Sequence, residues 1–319
     1  MNIYIWGVGR SATKSALIQA IHASSYAGKD VWVNYEPFYW SDRTASKINY
    51  YGLKCHEKID LITPKESKLL SRFVRNLHAN SSNNEIISIT KFIRGLGRID
   101  AINREVIGDV NILVIRDLYS LLSSVLTARW DLLGQSLKYK NDWYRLENWI
   151  KINKSTYPQI FNFYNRPLNR IDKNAIWWFV MNFLAIDSIK RLNGNIYFDT
   201  SNVFNDVSKK INNKISENTN FDVSGIRGNE IHSNNYFFNS LPSHKNNIIN
   251  YINAFIFYSG IHSKCLIKSD LGGFTKPKNP QNVGNKKYQL SEYGGFGKIL
   301  LEKNAMYDEM LEIISDKAK

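Results

Sequence analysis

Met1 to Ser15 reads MNIYIWGVGRSATKS, and this stretch decides the fold. Ile3 to Trp6 is a short apolar, β-rich run, Gly7-Val8-Gly9 is a turn, and from Thr13 to Ala23 apolar residues recur at helical spacing. Strand, glycine loop and helix are the expected order. Such an arrangement aims several backbone N–H groups and a helix N-terminus at one spot, which favours an anion. Two nucleotide loops do not fit. GxxxxGK[ST], aligned on Lys14-Ser15, needs glycine where Val8 and Thr13 stand, and GxGxxG breaks at Ala12. Taken alone, the segment also reads as an ordinary tight turn with a Ser or Thr helix cap.

Working outward, Gly28 closes the helix and Val31 to Tyr35 reads as a second strand ending at Glu36-Pro37, where proline keeps Glu36 extended. Glu85 to Thr90 and Asn111 to Ile115 are continuous apolar runs, as in strands covered on both faces of a parallel sheet. Tyr119 to Trp130 and Ala175 to Leu192 read as helices, Asn195 to Phe198 as a fifth strand, and Lys298 to Ser315 as a final amphipathic helix. Alternating units of this kind predict right-handed crossovers and an α/β, three-layer sandwich around a central parallel sheet, of the P-loop NTPase-like kind. One domain, 1–319, is expected. It carries a helical, aromatic and basic insertion at 131–170, an irregular polar excursion at 209–247 rich in Asn and Ser, and a Gly/Lys-rich loop at 270–297 that includes Lys276 to Lys287.

The 319 residues are 43% hydrophobic and 22% charged, enough apolar surface for a full core, which excludes disorder for the bulk of the chain. The net charge of +14 predicts an anionic partner: a phosphorylated small molecule, an anionic membrane surface or nucleic acid. No RNP-like or helix-turn-helix signature stands out, so nucleic acid is not expected. Cys55 and Cys265 read as reduced thiols of a cytoplasmic protein, and the six histidines lack paired spacing for a metal. MNIYIWGVGR shows no charged leader or long apolar region, so no signal peptide is expected. The longest apolar run, Ile176 to Ile186, is too short for a membrane span.

A second cluster changes the weight of the first. Asn111 to Arg129 reads NILVIRDLYSLLSSVLTAR: a buried strand, Arg116-Asp117 at its carboxyl end, and a helix with serines. Both loops resemble the cofactor signatures of the sulfotransferase family. The first is similar to its 5′-phosphosulfate loop, strand-GxxRSGT-helix, with Ala12 in place of glycine. The second is similar to its 3′-phosphate motif, here Arg116 with Ser124 eight positions on. Tyr35-Glu36-Pro37 resembles the EP element of carbohydrate sulfotransferases, and Lys91-Phe92-Ile93-Arg94 their third-strand K-x-x-R segment. The chain departs from the pattern at Ala12, in a longer stretch between Arg10 and Glu36, and at Leu118, where proline or glycine is usual.

The resemblance implies a sulfotransferase whose cofactor is 3′-phosphoadenosine 5′-phosphosulfate, used without a metal. It implies that Gly9, Arg10, Ser11, Ala12, Thr13 and Lys14 surround the 5′-phosphate and that Arg116 and Ser124 hold the 3′-phosphate. Arg10 would stabilise charge on the leaving oxygen, and Glu36 would be the general base, with His56 and Glu57 in reserve. Lys14 reads equally as a solvated surface lysine, Glu36 as an ion-paired strand end, and Arg116 as a partner of Asp117. The aromatic insertion suits a carbohydrate or glycoconjugate acceptor, whose ring faces stack on indole and phenol, although packing explains Trp177-Trp178 as well. A P-loop kinase of a small metabolite and a non-enzymatic module that binds anions or nucleic acid are the competing classes.

Overall fold

Ile3, Tyr4, Ile5 and Trp6 are all buried, so the first strand, β1 (Asn2–Trp6), is covered on both faces. The structure, a computed structural model, describes residues 1–9, 30–35, 86–119, 141–192, 195–197, 267–269 and 304–319. It also describes the single positions 11, 13, 16, 17, 20, 21, 24, 71, 72, 74, 75, 78, 121, 122, 213 and 217. Five further strands join β1: β2 (Asp30–Tyr35), β3 (Ile86–Phe92), β4 (Val110–Val114), β5 (Asn195–Tyr197) and β6 (Ile267–Ser269). Their order is β5-β4-β1-β3-β2-β6, and every pairing is parallel. The chain is therefore α/β with a parallel sheet, as the continuous apolar runs predict.

Strand alternation sends Tyr4, Trp6, Phe92 and Leu113 to one face, where they join a single core. The helices of that core are α1 (Ile99–Glu105), α2 (Asn141–Ile152), α3 (Pro158–Tyr164), α4 (Arg170–Ile189) and α5 (Ala305–Ala318). Trp6 and Phe92 stack at 4.1 Å, and Tyr4 meets both edge-on. Ile3, Ile5, Ile89, Ile112 and Val114 project the other way and are equally buried, as are Ala16, Leu17, Ala20 and Ile21 at helical positions. Burial of both faces is what removes the alternation of polar residues from the strand sequences.

Several boundaries differ from the sequence reading. The helix expected from Ala175 begins at Arg170, because Asn169 and Asp172 form a capping box. Asn169 Oδ1 accepts from the Asp172 N–H at 2.9 Å, and Asp172 Oδ2 accepts from the Asn169 N–H at 2.9 Å. The last helix runs on to Ala318, with Asn304 as its cap. Tyr119, Leu121 and Leu122 are helical, within the helix expected from Tyr119, and Leu118 is helical one residue before it. The described part of 131–170 holds two helices, α2 and α3, joined and followed by turns. Asn213 and Glu217 are helical, so 209–247 is not uniformly irregular; the loop at 270–297 lies outside the described residues. The sequence reading lacks the 3-10 turn Leu96–Arg98, the helix α1 that follows it, the helical positions 71, 72, 74 and 75, and the edge strand β6. Gly95 enters that turn at φ 73, a left-handed position where glycine carries no steric penalty. Among the described residues no helix is long and apolar enough to cross a membrane.

A buried polar chain crosses the first core. Tyr4 Oη donates to the Val106 carbonyl at 3.0 Å, so the His78 Nε2–H donates to Tyr4 Oη at 3.2 Å. Nδ1 is then left to accept from Ser88 Oγ at 3.3 Å. Burial holds the His78 pKa down, to about 4 from 6.5. The folded state thus binds fewer protons than the unfolded state, and the stability due to neutral His78 is complete above pH 6.5 and lost as pH falls toward 4. The expected loss is about 1.4 kcal/mol per pH unit in that window, roughly 3 kcal/mol in all. Urea titrations of the wild type and His78→Gln at pH 7.5, 6, 5 and 4 check this. The difference between the two slopes should carry the loss, and parallel slopes contradict it.

Candidate functional site

β1 lies between β3 and β4, and its connection leads toward β2 on one side while that of β4 leads to β5 on the other. Adjacent strands whose connections diverge leave a crevice beyond their carboxyl ends, the usual ligand position in open parallel sheets. Two loops border it here: residues 7–13 after β1, and Ile115-Arg116-Asp117 after β4.

The first loop is fixed by close approach. The Gly7 N–H donates to the Phe92 carbonyl at 3.2 Å, extending the pairing of β1 with β3 by one residue. On its other side a Cβ at residue 7 would lie 2.6 Å from Thr13 Cγ2 and 2.7 Å from the Val114 carbonyl oxygen. Only glycine fits, and its contacts tie the loop, the helical position 13 and the end of β4 together. The Ser11 N–H closes the turn on the Val8 carbonyl at 3.1 Å. Ser11 is fully buried, and its Oγ has no hydrogen-bond partner among the described residues. Such an orphan costs about 1–3 kcal/mol in a closed interior, a cost that a polar group arriving from outside would relieve. Thr13 is buried beside it in sequence, within the helix.

At the end of β4, Val114 and Ile115 are buried and Arg116 is half-buried. The Arg116 carbonyl accepts from the Trp178 indole N–H at 3.0 Å, which pins the turn to α4. Burial pushes the Arg116 pKa below its ordinary value, opposed by the Asp117 charge. At the end of β3, Lys91, Arg94 and Arg98 are buried, each engaged within the protein. Lys91 sits opposite Ile5 on one side and Tyr35 on the other. Cationic residues therefore occur in or just after the carboxyl ends of the two strands that flank β1.

Gly9, Ser11, Thr13 and Arg116 are placed at this edge of the sheet, and Gly7 joins Thr13 to the end of β4. Arg10, Ala12, Lys14, Glu36 and Ser124, with the reserve bases His56 and Glu57, lie outside the described residues. Tyr35, which precedes Glu36 in sequence, ends β2 at this same edge. Sequence reasoning did not single out Arg98, Tyr119 or the bond from Trp178 to Arg116. An indole within an apolar helix signals packing, and nothing in its neighbours reveals a carbonyl 62 residues away. Among the described residues no group of three or more His, Cys, Asp or Glu side chains could hold a metal ion. No family model, curated protein or solved structure matches the chain.

Gly7→Ala should force the loop off Val114, whose backbone oxygen cannot move aside cheaply. The expected cost is about 1–3 kcal/mol of stability, the scale of overpacking. Adding Thr13→Ser removes Cγ2 and should recover part of that loss. Chemical denaturation of the two variants checks it, and a single variant as stable as the wild type would contradict the close approach.

Proposed function

We propose that the chain is a sulfotransferase that moves a sulfuryl group from 3′-phosphoadenosine 5′-phosphosulfate to a hydroxyl of a carbohydrate or glycoconjugate acceptor, on a P-loop-like three-layer fold. The observation that carries the reading is the close approach of Gly7 to Thr13 and to the end of β4, two residues before Arg116, where β1 and β4 diverge, with the buried Ser11 Oγ within that loop lacking a hydrogen-bond partner among the described residues. These residues fit a donor with two anionic ends. A loop of backbone N–H groups and a hydroxyl suits one phosphate, and a half-buried guanidinium suits the other.

When bound, the donor supplies an activated sulfuryl group. The backbone of residues 9–13 with the hydroxyls of Ser11 and Thr13 holds the 5′ end, and Arg116 with Ser124 holds the 3′-phosphate. Arg10 offers a fixed positive charge to the oxygen on which negative charge builds, and Lys14 can add a second. Glu36 takes the proton of the acceptor hydroxyl. No metal enters the proposal, because the charge on the leaving oxygen is met by side chains.

Calorimetry should show tighter binding of 3′-phosphoadenosine 5′-phosphate than of AMP, and Arg116→Ala should cost about 1.5–3 kcal/mol with the former only. Equal affinities would sink the assignment. In single-turnover transfer to a glycan panel, Glu36→Gln should keep nucleotide affinity and melting temperature while losing about 100- to 10,000-fold in rate. Arg10→Ala should lose roughly 100-fold or more, with nucleotide binding weakened less. Near-normal transfer by the Gln variant would move the base to His56 or Glu57.

A further inference from the structure

The turn that carries Arg116 is held from two directions by residues remote in sequence. From α4, the fully buried Trp178 donates its indole N–H to the Arg116 carbonyl at 3.0 Å. From α5, Asp308 accepts from Tyr119 Oη at 2.7 Å, and Tyr119 Oη accepts from the Asn304 N–H at 3.1 Å, across 185 residues. The helix that supplies these partners is itself locked to α4. Tyr307 Oη donates to the buried Asp172 at 2.6 Å, Lys317 pairs with Asp187, and the Tyr307 ring meets the Tyr119 ring edge-on at 5.9 Å. Leu118 and Leu121, on either side of Tyr119, are buried in the same core as Met306 and Met310.

We infer that Tyr119 and Trp178 are positioning residues for Arg116, and that through Tyr119 the carboxyl-terminal helix is a structural part of the anion crevice. The backbone of residues 116–119 has little freedom while both ties hold, so the guanidinium starts from one fixed Cα position and direction. A ligand at Arg116 and the docking of α5 should then favour each other, since both require the same turn geometry. The consequence for ligand binding rests on the proposed function; the positioning itself does not.

Trp178→Phe and Tyr119→Phe in the full chain each remove one polar tie and keep a ring in the core. Asp308→Ala, at an exposed position, weakens the second tie from the other end, leaving only the Asn304 contact, should Tyr119→Phe fail to fold. Ile160→Val, in the buried core at α3, is a control that lowers stability without touching the turn. The first readout is the rate at which phenylglyoxal modifies Arg116, followed by peptide mass mapping below the melting temperature. Trp178→Phe should raise it roughly 5-fold, the equilibrium weight of one neutral hydrogen bond, and the variants that lose the bond from Tyr119 to the Asp308 carboxylate about 10-fold or more, while Ile160→Val should leave it unchanged. The second readout is the affinity ratio of 3′-phosphoadenosine 5′-phosphate to AMP, which the same variants should lower by a similar factor. The inference is overturned for any residue whose variant is modified at the wild-type rate, and for both if Ile160→Val raises the rate as much. If the wild type shows no nucleotide preference the sulfotransferase reading falls, while the modification rates still decide the positioning.

Discussion

A side chain at residue 7 has nowhere to go: the Val114 carbonyl and the Thr13 methyl already occupy the space a Cβ would need. That exclusion, a matter of a few tenths of a nanometre, sets the rest of the site. It brings the loop after β1 against the end of β4, and the loop's own N–H to Phe92 holds it against β3. Residues distant in sequence can share one crevice only because the sheet places β1 between these two strands. The parallel register does the remainder, since Trp6 lies level with both Phe92 and Leu113.

How much of this was legible in the sequence follows the range of the forces involved. Strands buried on both faces announce themselves as unbroken apolar runs, and β1, β3 and β4 were found within a residue or two at most ends. A three-residue edge strand such as β6 has no such signature, because Ile267–Ser269 becomes a strand only by pairing with β2. The turn at Leu96–Arg98 hides behind Gly95 and Gly97, because glycine disfavours helix interiors, while the left-handed Gly95 caps a short helical segment. Strand order lay beyond reach as well, since nothing local states that β1 sits beside β4. For the site, Arg116 was visible as a cation at a strand end, whereas its support by Trp178 and by the Asn304–Tyr119 contact depends wholly on tertiary packing.

Electrostatics give the crevice its sign. Lys91 is buried in the last residues of β3, Arg94 and Arg98 are buried just after it, and Arg116 is half-buried past the end of β4. Removing such groups from water is costly, and side chains engaged within the protein recover only part of that cost. The net charge of +14 extends the same bias over the whole chain and favours encounter with anions. By contrast the exposed pairs, Arg75 with Glu105 and Arg166 with Glu309, contribute little to the fold, as solvent-screened pairs do. The cations that matter are those the sheet holds out of solvent at one edge.

Hydrogen exchange with and without 3′-phosphoadenosine 5′-phosphate tests the shared crevice most directly. Peptides covering residues 7–13 and 115–122 should gain protection together, at the same ligand concentration and with the same midpoint. Protection of one loop without the other, or of neither, would contradict a single anion site built by both.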